Sequence, residues 1–180
     1  LVIMAMVTSM LSGPAMRLIL RPARKWRPRE ALSSKLFLRD LKAGTRREAV
    51  EKMVRAACGQ AGLEPEEIAA SVWAREEALS TGIGNGVALP HARVAELREP
   101  IVAVGICEGG IDFDAPDGQP AHVIFLILTP ASDPRAQLTI AAEIARLFRK
   151  QPMLDRVLRT KNFTDFLALM STSVGPEATG

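Results

Sequence analysis

Two short apolar runs, "IVAVGIC" at 101–107 and "HVIFLIL" at 122–128, set the strongest limit on how this chain can fold. Both are rich in β-branched residues, hold no Asp, Glu, Lys or Arg, and are bounded by turn-forming residues. A half-exposed strand alternates apolar and polar positions, whereas an unbroken apolar run needs cover on both faces. The flanking segments offer that cover. "TRREAVEKMVRAACGQAG" (45–62) gathers Ala49, Met53, Ala56 and Ala57 on one helical face, with Thr45 as cap and Gly62 as terminator. "EPEEIAASVWAREEAL" (64–79) is acidic where a helix N-terminus favours negative charge. "DPRAQLTIAAEIARLFRK" (133–150) starts on an Asp cap and repeats Leu138, Ala141, Ile144, Ala145 and Phe148 at helical spacing. "NFTDFLALM" (162–170) predicts a last helix capped by Asn162. Helices alternating with buried strands predict an α/β domain with helices on both faces of a sheet. "GGIDFDAPDGQP", between the two runs, reads as loop.

Composition narrows the function. The chain has 180 residues, enough for one well-cored domain and a tail. Aromatic residues make up 4% and Tyr is absent, so few bases could be stacked and nucleic acid is not an expected partner. The two cysteines, Cys58 and Cys107, are far apart and suggest neither a metal site nor a disulfide framework. They read as buried inert thiols, and no cofactor or metal is expected. The net charge is +3, but residues 1–29 hold six basic groups and no acidic one, which leaves −3 over residues 30–180. The basic excess therefore belongs to one juncture and not to a nucleic-acid-binding face.

That juncture follows an uncharged stretch, "LVIMAMVTSMLSGPAM", which continues through Arg17 to Leu20. About 20 residues at about 1.5 Å each match the hydrocarbon thickness of a bilayer. "RPARKWRPR" comes next, the order expected where a spanning helix reaches the cytoplasm. Residues 1–20 are thus expected to be the remnant of a last transmembrane helix. Residues 21–33 read as a basic linker, 34–172 as the folded domain and 173–180 as a flexible tail.

The stretch "STGIGNGVALPHAR" (80–93) holds the main candidate site. Gly82, Gly84 and Gly86 with Asn85 can form a tight turn whose amides point one way, an anion nest. Pro90 stiffens the chain just ahead of His91. A histidine on rigid backbone beside such a nest suits acceptance of a phosphoryl group on a ring nitrogen. A structural histidine after a glycine turn is the alternative. His122, which opens the second apolar run, reads as structural.

Two segments resemble known families. "MAMVTSMLSGPAMRLIL" is similar to the final transmembrane helix of monovalent cation/proton antiporters. "REEALSTGIGNGVALPHAR" resembles the active-site segment of the fructose/mannitol/nitrogen-type enzyme IIA domains of the bacterial phosphotransferase system, and the likeness extends over about residues 34–172. The resemblance implies a mixed central sheet between helices, with His91 as the phosphorylated residue and Arg75 beside it. It places Gly84, Asn85 and Gly86 at the pocket and Gln137 where carriers usually have a second histidine. Gln can donate a hydrogen bond to a phosphoryl oxygen but is never cationic. Together the two likenesses imply a regulatory phosphotransferase-type domain at the cytoplasmic face of the bacterial inner membrane, joined to an antiporter membrane domain in the same chain. A phosphohistidine carrier protein would be its donor, and a homodimer is a possible assembly. The alternatives are a soluble phosphocarrier of the sugar or nitrogen phosphotransferase system, and a sensor that binds an anion or nucleotide without phosphoryl transfer.

Overall fold

A computed structural model describes residues 28–149 and 152–172. The expected spanning segment 1–20, linker residues 21–27 and the tail 173–180 lie outside them. No described helix is long and apolar enough to cross a membrane.

The chain enters through a single turn, α1 (Pro28–Ala31), and passes directly into β1 (Leu32–Leu38). Residues 28–33, read from the sequence as linker, therefore belong to α1 and the start of β1. A helical hairpin follows. In α2 (Arg46–Ala61), the Thr45 side chain accepts the Glu48 N–H at 3.2 Å, and Gly62 ends the helix at φ 69°. Gly62 takes this left-handed conformation at little cost because it has no Cβ. In α3 (Pro65–Ala78), proline occupies the first turn, where its missing N–H is not needed.

Three short strands come next: β2 (Gly82–Gly84), β3 (Val87–Ala88) and β4 (His91–Val94). The two apolar runs form β5 (Ile101–Ile111) and β6 (Ala121–Pro130). Both are longer than predicted, and β5 absorbs the "GGI" expected in the loop. A register shift between Ile106 and Ile111 accommodates it, with Gly110 at φ 70°. The chain closes with α4 (Ala136–Leu147), α5 (Pro152–Leu158) and α6 (Phe163–Thr172). Asn162 caps α6 by accepting the Asp165 N–H at 2.9 Å. Asp133 instead accepts the Arg135 N–H in the turn that precedes α4.

The sheet is mixed, in the order β1-β5-β6-β3-β2, with β4 also paired to β6. β1 runs parallel to β5, β5 antiparallel to β6, and β6 parallel to both β3 and β4. Alternation along β6 divides the interior in two. Ile124, Leu126 and Leu128 join the core beneath α2 and α3, while Val123, Phe125 and Ile127 join the core beneath α4, α5 and α6. Each such side chain, fully removed from water, contributes roughly 1.5–3 kcal/mol. This is why β6 reads as a continuous apolar run.

Candidate functional site

β3 and β4 lie end to end along β6. Val87 and Ala88 face Val123 and Ile124, whereas His91 faces Ile127. The break at Leu89 and Pro90 positions the histidine. Leu89 donates its N–H to the Thr81 carbonyl at 3.0 Å, and the Pro90 carbonyl accepts from Ile127 at 2.9 Å. The Leu89 carbonyl lies 2.9 Å from Nδ1 of the His91 ring. A carbonyl only accepts, so Nδ1 carries the hydrogen and Nε2 keeps its lone pair. Arg75 Nε, which only donates, stands 3.4 Å from Nε2. The two neighbours assign the same tautomer. Burial is the main influence holding His91 below the usual histidine range. The Leu89 carbonyl pulls the other way, Arg75 pushes it lower, Glu76 raises it and Arg93 lowers it again. The ring is thus neutral near pH 7, with one nitrogen held and the other nucleophilic.

His91 and Arg75, placed side by side by the resemblance, are therefore brought together. The glycine turn is not. Gly84, Asn85 and Gly86 take φ values of 82°, 53° and 73°, a true left-handed turn, but it sits at the opposite end of β3. The Gly86 carbonyl accepts from His122 and Val123 at the start of β6, and Val123 to Ile127 spans about 13 Å along the strand. The Asn85 N–H is taken by the Asp117 carboxylate at 2.7 Å. The nest holds the chain's own carboxylate at that end of β3. Because β2 pairs antiparallel with β3, the start of β2 lies at the end of β3 nearer the histidine, with the Thr81 carbonyl on the Leu89 N–H.

Gln137 is partly buried in the first turn of α4, and its side chain makes no hydrogen bond among the described residues. Ala92 and Val94 belong to the core beneath α2 and α3. Strand alternation then turns His91 and Arg93 toward the face that α4 covers. Thr129, opposite Arg93, shares that face, and its buried hydroxyl has no partner among the described residues. His122 Nδ1 lies 3.2 Å from the carbonyls of Cys107 and of Glu108, which suits a structural role. Cys58 and Cys107 are buried and free.

Sequence reasoning missed Glu76. Its carboxylate is fully enclosed, accepts the Thr81 N–H at 3.2 Å and the Thr81 hydroxyl, and lies 4.0 Å from Arg46. Arg46 also pairs with Asp114. The signal was present: Ile68, Val72 and Glu76 recur every four residues, so an acid occupies the inner stripe of α3.

Known proteins place this arrangement. Residues 30–173 match the family described as "Phosphoenolpyruvate-dependent sugar phosphotransferase system, EIIA 2". A nitrogen regulatory protein of Pseudomonas aeruginosa is 38% identical over 84 residues, covering 47% of this chain and 54% of that protein. One from Bradyrhizobium diazoefficiens is 27% identical over 150 residues, covering 83% and 96%. The fructose-specific EIIABC component of Bacillus subtilis is 33% identical over 88 residues, covering 49% of this chain and only 14% of that larger protein. In structure, the nitrogen regulatory protein IIA-Ntr of Neisseria meningitidis superposes with TM-score 0.74 at 25% identity, covering 79% of this chain and 97% of the other. The chain belongs to the EIIA type-2 family of the phosphoenolpyruvate-dependent sugar phosphotransferase system.

Proposed function

We propose that this chain accepts a phosphoryl group on Nε2 of His91 from a phosphohistidine carrier protein and acts as a regulatory module. The observation that supports this is the split of the imidazole: Nδ1 is held by the Leu89 carbonyl while Nε2 faces Arg75. In the reaction the donor's N–P bond breaks and an Nε2–P bond forms. The ring gains positive charge as the bond forms, so its Nδ1–H donates more strongly to Leu89. Arg75 offsets the negative charge of the phosphoryl oxygens. Transfer between two histidines is nearly balanced in energy, so geometry and charge suffice. Gln137 supplies no cation, which favours slow transfer and a persistent phosphorylated form. That nitrogen regulatory proteins are among the relatives fits a regulatory part. A mannitol IIA domain of Escherichia coli has been solved with its phosphorylated enzyme IIB, and a partner of that kind is the proposed acceptor.

The test incubates the full chain with a general phosphotransferase enzyme, its histidine carrier and phosphoenolpyruvate. Intact mass and acid lability are then measured. Wild type should carry one acid-labile phosphoryl group and His91→Ala none. No label on wild type would leave an anion-binding sensor as the better reading. Label on His91→Ala would move the chemistry to His122.

A second reading concerns the setting. The uncharged run to Met16 and the basic cluster after it support a membrane anchor with the domain on the cytoplasmic side, and the resemblance of "MAMVTSMLSGPAMRLIL" to the last helix of cation/proton antiporters supports an antiporter as the membrane part. The coding DNA upstream of Leu1 tests this. An open frame with many further apolar segments is the expected result, and its absence would favour a free phosphocarrier.

A further inference from the structure

The buried carboxylate of Glu76 touches neither solvent nor the His91 ring, yet it stands at the head of an unbroken series of contacts that ends there. Arg46 Nη1 lies 4.0 Å from Glu76 Oε1. Glu76 accepts both the N–H and the hydroxyl of Thr81. The Thr81 carbonyl accepts the Leu89 N–H at 3.0 Å. The Leu89 carbonyl, the next along, accepts from Nδ1 of His91 at 2.9 Å. Leu89 lies between β3 and β4, where a free strand edge would otherwise let its peptide rotate. A carboxylate enclosed in an α/β interior is costly unless several donors satisfy it, and here those donors belong to one residue of the loop that anchors Leu89.

We propose that Glu76 is a positioning residue for His91, acting through Thr81 and Leu89 to hold the ring with Nε2 directed outward as the nucleophile. The proposal rests on the phosphoryl-accepting role of His91, but its main readout requires no phosphoryl donor. The charged groups around the ring are Arg75 and Glu76 on α3 and Arg93 on β4. α4, which covers this face, begins after Arg135 and has no acidic residue in its first turn.

The experiment records the ring nitrogens of His91 by long-range ¹⁵N correlation in the full chain, with His122 as internal reference. Wild type at alkaline pH should show a single Nδ1–H tautomer. Glu76→Ala should give a mixture of tautomers at His91 with His122 unchanged. Glu76→Gln should restore the wild-type tautomer, because its amide oxygen can still accept the Thr81 N–H. It should also lower the His91 titration midpoint, because the carboxylate charge that raises it is gone. Phosphoryl acceptance should slow at least tenfold in Glu76→Ala and less in Glu76→Gln. A single unchanged tautomer in folded Glu76→Ala overturns the proposal. If that variant does not fold, Glu76→Asp decides, because its shorter side chain withdraws the carboxylate from Thr81, and a single unchanged Nδ1–H tautomer there overturns the proposal. Failure of wild type to be phosphorylated would overturn the functional reading and leave the tautomer result standing.

Discussion

At the residue scale, burial outweighs every neighbour in setting the charge of His91. Its ordinary value is 6.5 and its folded value lies lower. Between the two, the unfolded chain binds more protons than the folded one. His91 therefore stabilises the fold above 6.5, and that contribution is lost as pH falls through the lowered folded value. Denaturation midpoints of wild type and His91→Asn should accordingly converge on going from about pH 8 to about pH 5. Arg75 opposes protonation of the same ring, so Arg75→Ala should raise the His91 midpoint in a titration followed by NMR. The same variant should add roughly 1–3 kcal/mol to the barrier for phosphoryl acceptance, read as a slower labelling rate. Thr129 presents the opposite case, a buried hydroxyl with no hydrogen-bond partner among the described residues. Thr129→Val keeps the shape and removes the unsatisfied group, so it should raise stability by about 1 kcal/mol in denaturant titration.

At the element scale, the β2–β3 hairpin shows what a sequence can and cannot say. Its glycines were legible as a left-handed turn, and Gly84, Asn85 and Gly86 do form one. Its direction was not, because the pairing partner of a two-residue strand is fixed by register against β6, which no local pattern encodes. β1 and α5 were also missed. "LSSKLFL" has only Leu36 fully buried, as expected for a strand paired on one side, so it lacks a clear period. α5 has 7 residues, too few to show one. Two glycines separate packing from propensity. A Cβ at Gly82 would come 2.6 Å from the Phe113 carbonyl oxygen, and backbone cannot step aside. Gly82→Ala should cost about 2–3 kcal/mol in thermal or denaturant unfolding. Gly59, exposed in α2, would meet nothing within 4 Å, so Gly59→Ala should add about 0.5–1 kcal/mol.

At the scale of the whole molecule, one sheet separates two cores, and that layering followed directly from the two continuous apolar runs. The second core leans on aromatic contacts. Phe166 of α6 lies 5.1 Å from Phe37 of β1 and 6.2 Å from Phe125 of β6, ring centre to ring centre. Phe166→Ala should cost about 3–5 kcal/mol, measured as a fall in the unfolding midpoint. His91 hangs on β6 as well, paired at Ile127, two residues beyond Phe125. That central strand has β5 on one side and β3 and β4 on the other, and its residues from Val123 to Pro130 are all buried. Its amides can exchange with deuterium only through near-global opening, whereas those of α1 and α6 need only local fraying. The imidazole therefore rides on the slowest-opening part of the fold. Heat or denaturant should loosen the terminal helices while the His91 ring environment persists, and the site should fail only when the sheet itself comes apart.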